Sequence, residues 1–343
     1  MVKEVEVRQG GLLTTVQDSG RFGYQQYGMP VAGAMDEFSY RVGNLLVQNH
    51  ENSPSLEATI KGPELFFRGS AFIAVTGAPA APQLNGKEIP MWKTVYVEDA
   101  STLSFNPLQE GCRFYIAVAG GFSIPPLMGS SSTYLRGALG GFKGRRLHKG
   151  DIIPLNEPAP GEKDAPKQLL RLKKDAIPLY SSHQVVRVVF GPQDDYFTSN
   201  ALKYLEESSY TLSPQSDRMG CRLEGPLLQH SGKPEIISDG MPPGAVQVPG
   251  HGNPIIMLSD RPTTGGYPKI ATVISADLPK ASQLKPGDTI SFEKVSLEKA
   301  QRIRKDFEEK IYLLQNKEPY SDEYSTYEII VNNRRFLVKI KKL

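Results

Sequence analysis

The sequence carries one short pattern twice, LHKGDII at residues 147–153 and LKPGDTI at residues 284–290. Each copy places a Gly-Asp turn directly before β-branched residues, which is typical of a turn that leads into a strand. Two Gly-Gly segments, residues 119–122 and 264–267, precede the two copies. We interpret this repeat as a sign of two related β-barrel-like domains. Because Gly-Asp turns are common, the alternative is that turn chemistry alone produces the similarity.

Strand-like segments dominate the rest of the sequence. Among 343 residues there are 32 glycines and 27 prolines. That number is too high for a helical bundle, because Pro removes a backbone donor and Gly costs backbone entropy. The Asn85-Gly86 pair indicates a β-hairpin. Short β-branched or aromatic runs between turn residues predict strands at 5–7, 72–75, 95–97, 114–119, 185–190, 255–258 and 270–274.

Three segments have the apolar spacing of a helix, residues 36–47, 194–207 and 296–315. The last of them is the longest, and Ser296 is a good N-cap for it. The final segment, residues 327–342, alternates like a two-stranded hairpin and is similar to the opening hairpin of a biotinyl domain. No Met-Lys-Met acceptor follows it, so we expect no biotin on this chain and interpret the segment as an edge hairpin.

A change of composition divides the chain. Residues 154–178 are rich in Pro, Gly and charged residues and poor in aromatic residues, as expected of a linker or a long surface loop. We therefore predict a mainly β protein with two β-barrel domains, at 1–160 and 181–295, joined by a linker at 161–180. A few short helices complete the fold, and residues 296–343 form one longer C-terminal helix and the hairpin.

Composition and motifs argue against several functional classes. The formal net charge is +3 and the basic stretches are short, which argues against nucleic-acid binding. The two cysteines and five histidines have no metal-ligand spacing, so no metal site is expected. We find no signal peptide and no run of 18 apolar residues, and therefore expect a cytoplasmic protein without a membrane partner. P-loop, HExxH and GxSxG patterns do not occur, which indicates a chain that contributes part of an active site.

Four polar stretches combine glycines with hydroxyl, Asp, Arg or Gln side chains beyond the needs of a turn. They are residues 14–24 with 28–36, 120–121 with 129–133, 213–220, and 247–249 with 261–269. One interpretation is a pocket lined by loops, in which backbone N–H groups face an oxyanion. The other is structural, because Asp–Arg pairs such as Asp18/Arg21 and Asp217/Arg218 often lock loops together. For the four stretches as a set we favour a functional site.

The same stretches resemble those of the KipA/PxpC family. This family comprises the PxpC-type subunit of bacterial 5-oxoprolinase and is also called allophanate hydrolase subunit 2 or biotin-dependent carboxyltransferase family protein. The most specific matches are TVQDSGRFGY at residues 15–24, AGAMD at 32–36 and SDRMG at 216–220. The matching segments are spread over most of residues 1–292.

Three positions depart from the family pattern. Ser131 and Tyr134 stand where an Arg and an Asp are expected, and Gln48 stands where a Gly is expected before Asn49. The resemblance nevertheless implies two cyclophilin-like β-barrel domains, which agrees with the strand-rich sequence.

The resemblance also implies an activity. It points to one component of an ATP-dependent 5-oxoprolinase, a hydrolase that opens 5-oxo-L-proline to L-glutamate with KipI/PxpB-type and PxpA-type subunits. ATP would be the cofactor of that complex. One alternative is half of a biotin-dependent carboxyltransferase acting on urea or an amide. Another is a non-catalytic KipA-type regulator that counters a KipI-type kinase inhibitor. The isolated chain could also form a homo-oligomer.

Residue roles are assigned on the same stretches. We expect the Gly-Gly turns to stabilise a tetrahedral intermediate and the arginines to hold the substrate carboxylate. The expected catalytic residues are Asp18, Arg21, Gly120, Gly121, Ser130, Thr133, Asp217, Arg218, Gln247, Thr264, Gly265, Gly266 and Lys269. The expected substrate-binding residues are Arg21, Met35, Asp36, Ser216, Arg218 and Tyr267.

Overall fold

The computed structural model describes residues 3–156, 170–316, 324–331 and 334–341, and it confirms a mainly β protein. Every predicted strand run overlaps an observed strand, and each predicted helical segment contains an α-helix. The predicted Asn85-Gly86 hairpin is present as well. Its two residues have positive φ angles of 51° and 77°, as a type I′ turn requires.

The first domain, as far as residues 3–156 describe it, consists of eleven strands and one α-helix. Its elements are β1 (Glu4–Gln9), β2 (Leu13–Gln17), α1 (Glu37–Leu46), β3 (Ser55–Thr59), β4 (Glu64–Arg68), β5 (Ala71–Gly77), β6 (Pro82–Leu84), β7 (Lys87–Glu88), β8 (Thr94–Val97), β9 (Thr102–Phe105), β10 (Arg113–Val118) and β11 (Ile152–Pro154). The strands form two sheets, with the orders β11-β1-β4-β9-β6-β7 and β2-β3-β10-β5-β8. Because strand side chains alternate between faces, one face of each sheet contributes to a shared core that includes the fully buried Leu56, Phe67, Ile73 and Phe114.

Helix α1 covers the other face of the five-stranded sheet. Phe38, Val42 and Leu46 lie at helical spacing and pack with Ala74 and Ala117, which point outward from β5 and β10. The carboxylate of Asp36 caps the helix by accepting the backbone N–H of Ser39 at 3.0 Å.

The second domain contains a closed barrel. Its elements are β12 (His183–Phe190), α2 (Ser199–Glu207), β13 (Ser209–Leu212), β14 (Gly220–Glu224), β15 (Asp239–Gly240), β16 (Ala245–Gln247), β17 (Ile255–Met257), β18 (Thr264–Gly265), β19 (Lys269–Val273), α3 (Leu278–Ser282) and β20 (Thr289–Lys294). Seven strands close in the order β12-β19-β16-β17-β14-β13-β20. The barrel closes where β12 and β20 run parallel, whereas its other neighbouring strands are antiparallel. Strands β15 and β18 form a separate two-stranded ladder.

The repeated Gly-Asp pattern has the same local structure in both domains. The Asp151 carboxylate accepts the backbone N–H three residues earlier at 2.7 Å, and the Asp288 carboxylate does the same at 3.0 Å. Their carbonyl oxygens accept the N–H of Val7 and Leu212 respectively, each at 2.8 Å. Each turn leads directly into the last strand of its domain, β11 or β20. This shared hydrogen-bond pattern supports the interpretation of the sequence repeat.

The described part of the predicted linker, residues 170–180, begins against the first domain. Leu172 is buried and donates its backbone N–H to the Trp92 carbonyl at 2.8 Å. Leu170 accepts the Thr94 N–H at 2.8 Å. Residues 161–169 lie outside the described residues, so the domain boundaries stay a prediction.

The C-terminal segment begins with the long helix α4 (Leu297–Asn316) and continues with β21 (Tyr324–Val331) and β22 (Arg334–Lys341). The two strands pair as the predicted antiparallel hairpin, with Val331 opposite Arg334. Helix α4 packs on α1, where the rings of Phe307 and Phe38 meet edge to face at 6.0 Å. The last helix therefore returns to the first domain.

A buried ion cluster joins the two domains. Arg218, between β13 and β14, donates to Glu57 of β3 in the first domain and forms two hydrogen bonds of 3.1 and 3.0 Å with Asp260. It also donates to the Gly33 carbonyl at 2.6 Å. The three charged side chains are at most 5% exposed, so each depends on the others in place of water.

Two further contacts cross the same junction. Met35, from the first domain, packs in the hydrophobic core of the second. The Gln283 amide, which follows α3, donates to Asp36 at 2.8 Å and to the Arg113 carbonyl at 2.9 Å. The domains are thus joined by apolar burial as well as by charge.

Replacement of Arg218 tests the ion cluster. Arg218→Met leaves Glu57 and Asp260 buried without their cation, so we expect a loss of about 3–5 kcal/mol in the free energy of unfolding. Denaturant unfolding followed by fluorescence measures this loss. Arg222→Met, at an exposed position of β14, is the matched control and should change stability by less than about 0.5 kcal/mol. A loss at Arg218 no larger than at Arg222 would contradict the assigned role.

Candidate functional site

The first polar stretch is fastened to the second by Asp18. Its carboxylate accepts the hydroxyls of Ser130 and Ser132 and the backbone N–H of Ser131. The Thr133 hydroxyl donates to a carbonyl of β2 at 2.9 Å. Asp18, Ser130 and Thr133 therefore lie together as predicted, but these contacts serve the fold.

Arg21 lies among the same loops and is 1% exposed. Its guanidinium donates to the carbonyl oxygens of Leu127 at 2.9 Å, Ser130 at 3.4 Å and Ser132 at 2.9 Å. Burial lowers the pKa of this arginine, and the nearby Asp18 charge opposes the shift. Its Nη1 atom is buried and has no hydrogen-bond partner among the described residues. The expectation that Arg21 holds a substrate carboxylate therefore stays a prediction.

The Gly120-Gly121 turn is also occupied internally. The Gly120 N–H donates to the Asn49 side chain, and the Gly121 N–H to the Val118 carbonyl, each at 2.8 Å. These two N–H groups are therefore satisfied within the fold, and the expected oxyanion role of the turn stays a prediction. Gln48, where the resemblance leads us to expect Gly, has a φ of 58°, a left-handed conformation that favours glycine.

The remaining residues of the first three stretches form the junction and a turn beside it. Arg218 binds Glu57 and Asp260, and its expected role as a ligand of the substrate carboxylate stays a prediction. Met35 and Asp36 are buried at the junction, as described above. Ser216 and Asp217 form the turn before β14, where the Asp217 carboxylate accepts the backbone N–H of Met219 at 2.8 Å.

The fourth stretch brings unsatisfied polar groups together at one face of the second domain. Gln247 of β16 and Lys269 of β19 are directly opposite in the barrel sheet. Asp239 of β15 accepts the Lys269 ammonium at 2.8 Å and, more weakly, the Gln193 amide at 3.4 Å. We call these four residues the Lys269 cluster.

The Lys269 cluster contains two uncommon features. Lys269 is 1% exposed, although lysine is rarely buried without a function or a partner. The Gln247 Oε1 atom is buried and has no hydrogen-bond partner among the described residues. A buried amide oxygen without a partner is costly, and such groups mark positions where a missing ligand can bind.

Gly265 fits closely over the cluster. A Cβ atom at this position would lie 2.3 Å from the Met241 methyl group and 3.0 Å from Gln247 Oε1, so a side chain here would displace the Met241 side chain. Thr264 and Tyr267 flank it and are exposed, and Gly266 accepts the Ile236 N–H at 2.9 Å. The predicted residues of this stretch are therefore adjacent, with exposed groups at the rim and buried groups beneath.

The Lys269 cluster contains one buried ammonium group, on Lys269, and one exposed carboxylate, on Asp239. The hydrogen bond from Lys269 lowers the pKa of the exposed Asp239 carboxyl, which keeps it ionised at neutral pH. The buried ammonium and the primary amide together offer donors and one acceptor. Such a set can polarise a carbonyl oxygen and recognise an amide.

Sequence reasoning missed two members of the cluster, Asp239 and Gln193. Neither belongs to a recognisable pattern. Asp239 lies on β15, outside the barrel, and Gln193 precedes a 3-10 turn, so only the folded chain brings them to Lys269. Among the described residues, no group of three or more His, Cys, Asp or Glu side chains could hold a metal ion. Cys112 and Cys221 are both buried and form no disulfide. No helix in the described part of the chain is long and apolar enough to span a membrane.

Comparison with known proteins places this chain among carboxyltransferase-related proteins. Residues 27–294 match the family model for the carboxyltransferase domain, subdomain A and B. The chain is 36% identical over 318 residues to the 5-oxoprolinase subunit designated C from Escherichia coli, covering 91% of this chain and 99% of that protein. It is 37% identical to the Haemophilus influenzae protein of that name, covering 87% of this chain and 93% of that relative.

Larger proteins contain a similar segment. Urea amidolyase of Saccharomyces cerevisiae is 34% identical over 88% of this chain, which corresponds to 17% of that protein. The crystal structure of Kluyveromyces lactis urea carboxylase superposes with a TM-score of 0.86 at 31% identity, covering 93% of this chain and 30% of that chain. Thus the chain spans less than a third of this solved structure. The family match and the near-complete coverage of the bacterial relatives agree, and the chain belongs to the carboxyltransferase domain, subdomain A and B, family.

Proposed function

We propose that this chain is the PxpC-type subunit of an ATP-dependent 5-oxoprolinase, which converts 5-oxo-L-proline to L-glutamate. The observation that carries the proposal is the 36% identity to a 5-oxoprolinase subunit over 99% of its length. The urea amidolyase match is similar in identity but reaches only 17% of that protein. Most of urea amidolyase therefore lies outside the match, whereas the bacterial 5-oxoprolinase subunit is matched almost completely.

The reaction opens a lactam, which resists hydrolysis because its nitrogen donates electrons to the carbonyl group. When bound in the complex, ATP supplies the phosphoryl group that activates the lactam oxygen. The chain must then recognise a cyclic amide and stabilise charge that develops on oxygen. The sequence contains no P-loop pattern, so we assign ATP binding at least partly to another subunit.

The Lys269 cluster supplies suitable groups for that task. Gln247 carries an unpartnered buried Oε1, which can accept the N–H of a lactam. The Lys269 ammonium is a charged donor in a site of low exposure, where it stabilises negative charge more strongly than in water. Thr264, exposed at the rim, adds a hydroxyl. We prefer these residues to Arg21 and Arg218 as candidates for substrate contact.

The proposal includes partner subunits. A protein named as a subunit works in an assembly, and the relatives at 36% and 37% identity both have such names. We propose KipI/PxpB-type and PxpA-type partners, and we place the reaction in the assembled complex and not in the isolated chain.

Two substitutions test the cluster as part of the active site. We expect Gln247→Leu and Lys269→Met each to reduce ATP-dependent glutamate release by the assembled complex about 100-fold or more, as loss of one preorganised donor does. The measurement is kcat for 5-oxo-L-proline, with complex assembly checked by size-exclusion chromatography. The exposed α4 residues Gln301 and Lys299, changed to Leu and Met, are matched controls. Wild-type turnover in both cluster variants would exclude the cluster from the reaction.

The carboxyltransferase alternative is favoured by one observation, the TM-score of 0.86 to urea carboxylase. In this case carboxybiotin on another chain would donate its carboxyl group to urea or an amide. We expect the assembled complex without a biotinyl protein to release glutamate from 5-oxo-L-proline. If it releases none, while adding a biotinyl protein and bicarbonate produces carboxylated urea, the alternative would replace the first proposal.

A further inference from the structure

A cavity of about 680 Å³ lies between the two domains, and the Lys269 cluster is not part of its lining. One wall comes from the first polar stretch and α1, and the other from second-domain loops around Ser259, Arg261 and Ser275. Helix α4 contributes a third side through Arg304 and Glu308. Its volume is in the range of small-molecule sites.

Arg261 is the distinctive residue of this cavity. It is 6% exposed, and its guanidinium donates to the carbonyl oxygens of Met241 at 2.9 Å and Leu258 at 3.2 Å. Its second terminal nitrogen, Nη2, makes no hydrogen bond to any residue that the structure describes. Two carbonyls orient the guanidinium without neutralising it, so one edge is left for a ligand.

The charge of Arg261 has no counterpart nearby. No carboxylate of the described residues lies within ion-pair distance of it, and burial alone lowers its pKa to about 10. Arg218 is buried to a similar degree, but Glu57 and Asp260 compensate its charge. A buried cation without a counterion is costly, and an anionic ligand removes that cost.

Another part of the lining, which we call the acidic wall, carries Glu37 of α1, Glu51 and Glu308 of α4. These three carboxylates share two cations, Arg41 and Arg304, through ion pairs. This network therefore carries one excess negative charge.

Two residues that line the cavity, Asp18 and Met35, are among those expected at an active site from the sequence. The Asp18 carboxylate also lines the cavity and accepts only neutral donors among the described residues. Apolar side chains also line the cavity, among them Met35, Leu258 and Leu278. The lining thus combines a buried cation, apolar side chains and the acidic wall.

We propose that this interdomain cavity binds a small amino acid, with its carboxylate on Arg261 and its ammonium group toward the acidic wall of α1 and α4. A carboxylate accepts two hydrogen bonds from one guanidinium edge, which suits the free Nη2 side. The apolar side chains of the lining fit the aliphatic part of the ligand. This site is separate from the Lys269 cluster, and its occupation by an amino acid does not depend on the proposed reaction.

Calorimetry on the isolated full chain tests the proposal, with L-glutamate and L-alanine as probes. We expect at least one of them to bind, and we expect Arg261→Gln to raise its dissociation constant at least about tenfold, the equivalent of about 1.4 kcal/mol. Arg302→Gln, at an exposed position of α4, is the matched control and should bind like the wild type. Glutarate and propionate, which lack the ammonium group, should bind more weakly than L-glutamate and L-alanine.

A second variant tests the cavity independently, in case Arg261→Gln does not fold. Ala34→Leu reduces the cavity from the first-domain side without touching the guanidinium, and it should also weaken binding. Circular dichroism and a thermal melt establish that each variant is folded. The proposal is overturned if neither amino acid binds at millimolar concentration, if folded Arg261→Gln binds like the wild type, or if inorganic phosphate binds more tightly than both. Glutamate release by the assembled complex is measured separately, so failure here leaves the Lys269 cluster to its own test.

Discussion

One guanidinium, that of Arg218, constrains the arrangement of both domains. Its full burial requires carboxylates on two sides, and Glu57 and Asp260 come from different domains. Glu57 is itself fixed, because its other oxygen accepts the Tyr115 hydroxyl at 2.7 Å and the Met35 N–H at 2.8 Å. The position of Met35 in turn determines where α1 begins. A single buried cation thereby sets the junction, the start of the helix and the walls of the interdomain cavity.

This constraint explains why so many polar loop residues serve the fold. Loops that cross between two β domains carry backbone groups that must find partners away from water. Asp18 and Arg21 each make three hydrogen bonds to the loop at 127–132, and Asn49 binds α1, β10 and the Gly120 turn. The fourth stretch combines a buried lysine with an unsatisfied amide oxygen beneath exposed rim residues, and we assign the chemistry to Lys269 and Gln247.

Local features were predictable from the sequence, whereas long-range partners were not. The α1 segment was visible because Phe38, Val42 and Leu46 repeat at helical spacing. The same reasoning found strands and the Asn85-Gly86 turn, since these depend on neighbouring residues. Helix α2 begins later than predicted, because Asp194–Tyr196 forms a separate 3-10 turn and Thr198 caps the helix instead. Strand runs also could not show that the first domain forms two sheets while the second closes into a barrel.

Three arginines show most clearly which contacts the sequence does not predict. Arg21, Arg218 and Arg261 all lie in glycine-rich polar stretches and look alike as sequence. Their roles differ because of what they meet: main-chain oxygens, two carboxylates, or an open cavity. Glu57 is 161 positions from Arg218, so no local pattern could pair them.

The order in which the strands close has a consequence for biosynthesis. In the first domain β11 pairs with β1, and in the second β20 pairs with β12, so each domain is completed by its last strand. A chain leaving the ribosome can therefore finish its first domain long before its second. During that interval Met35 has no core to enter and Glu57 has no arginine. The nascent chain must carry an apolar side chain and a buried acid unprotected until more than a hundred further residues have been made.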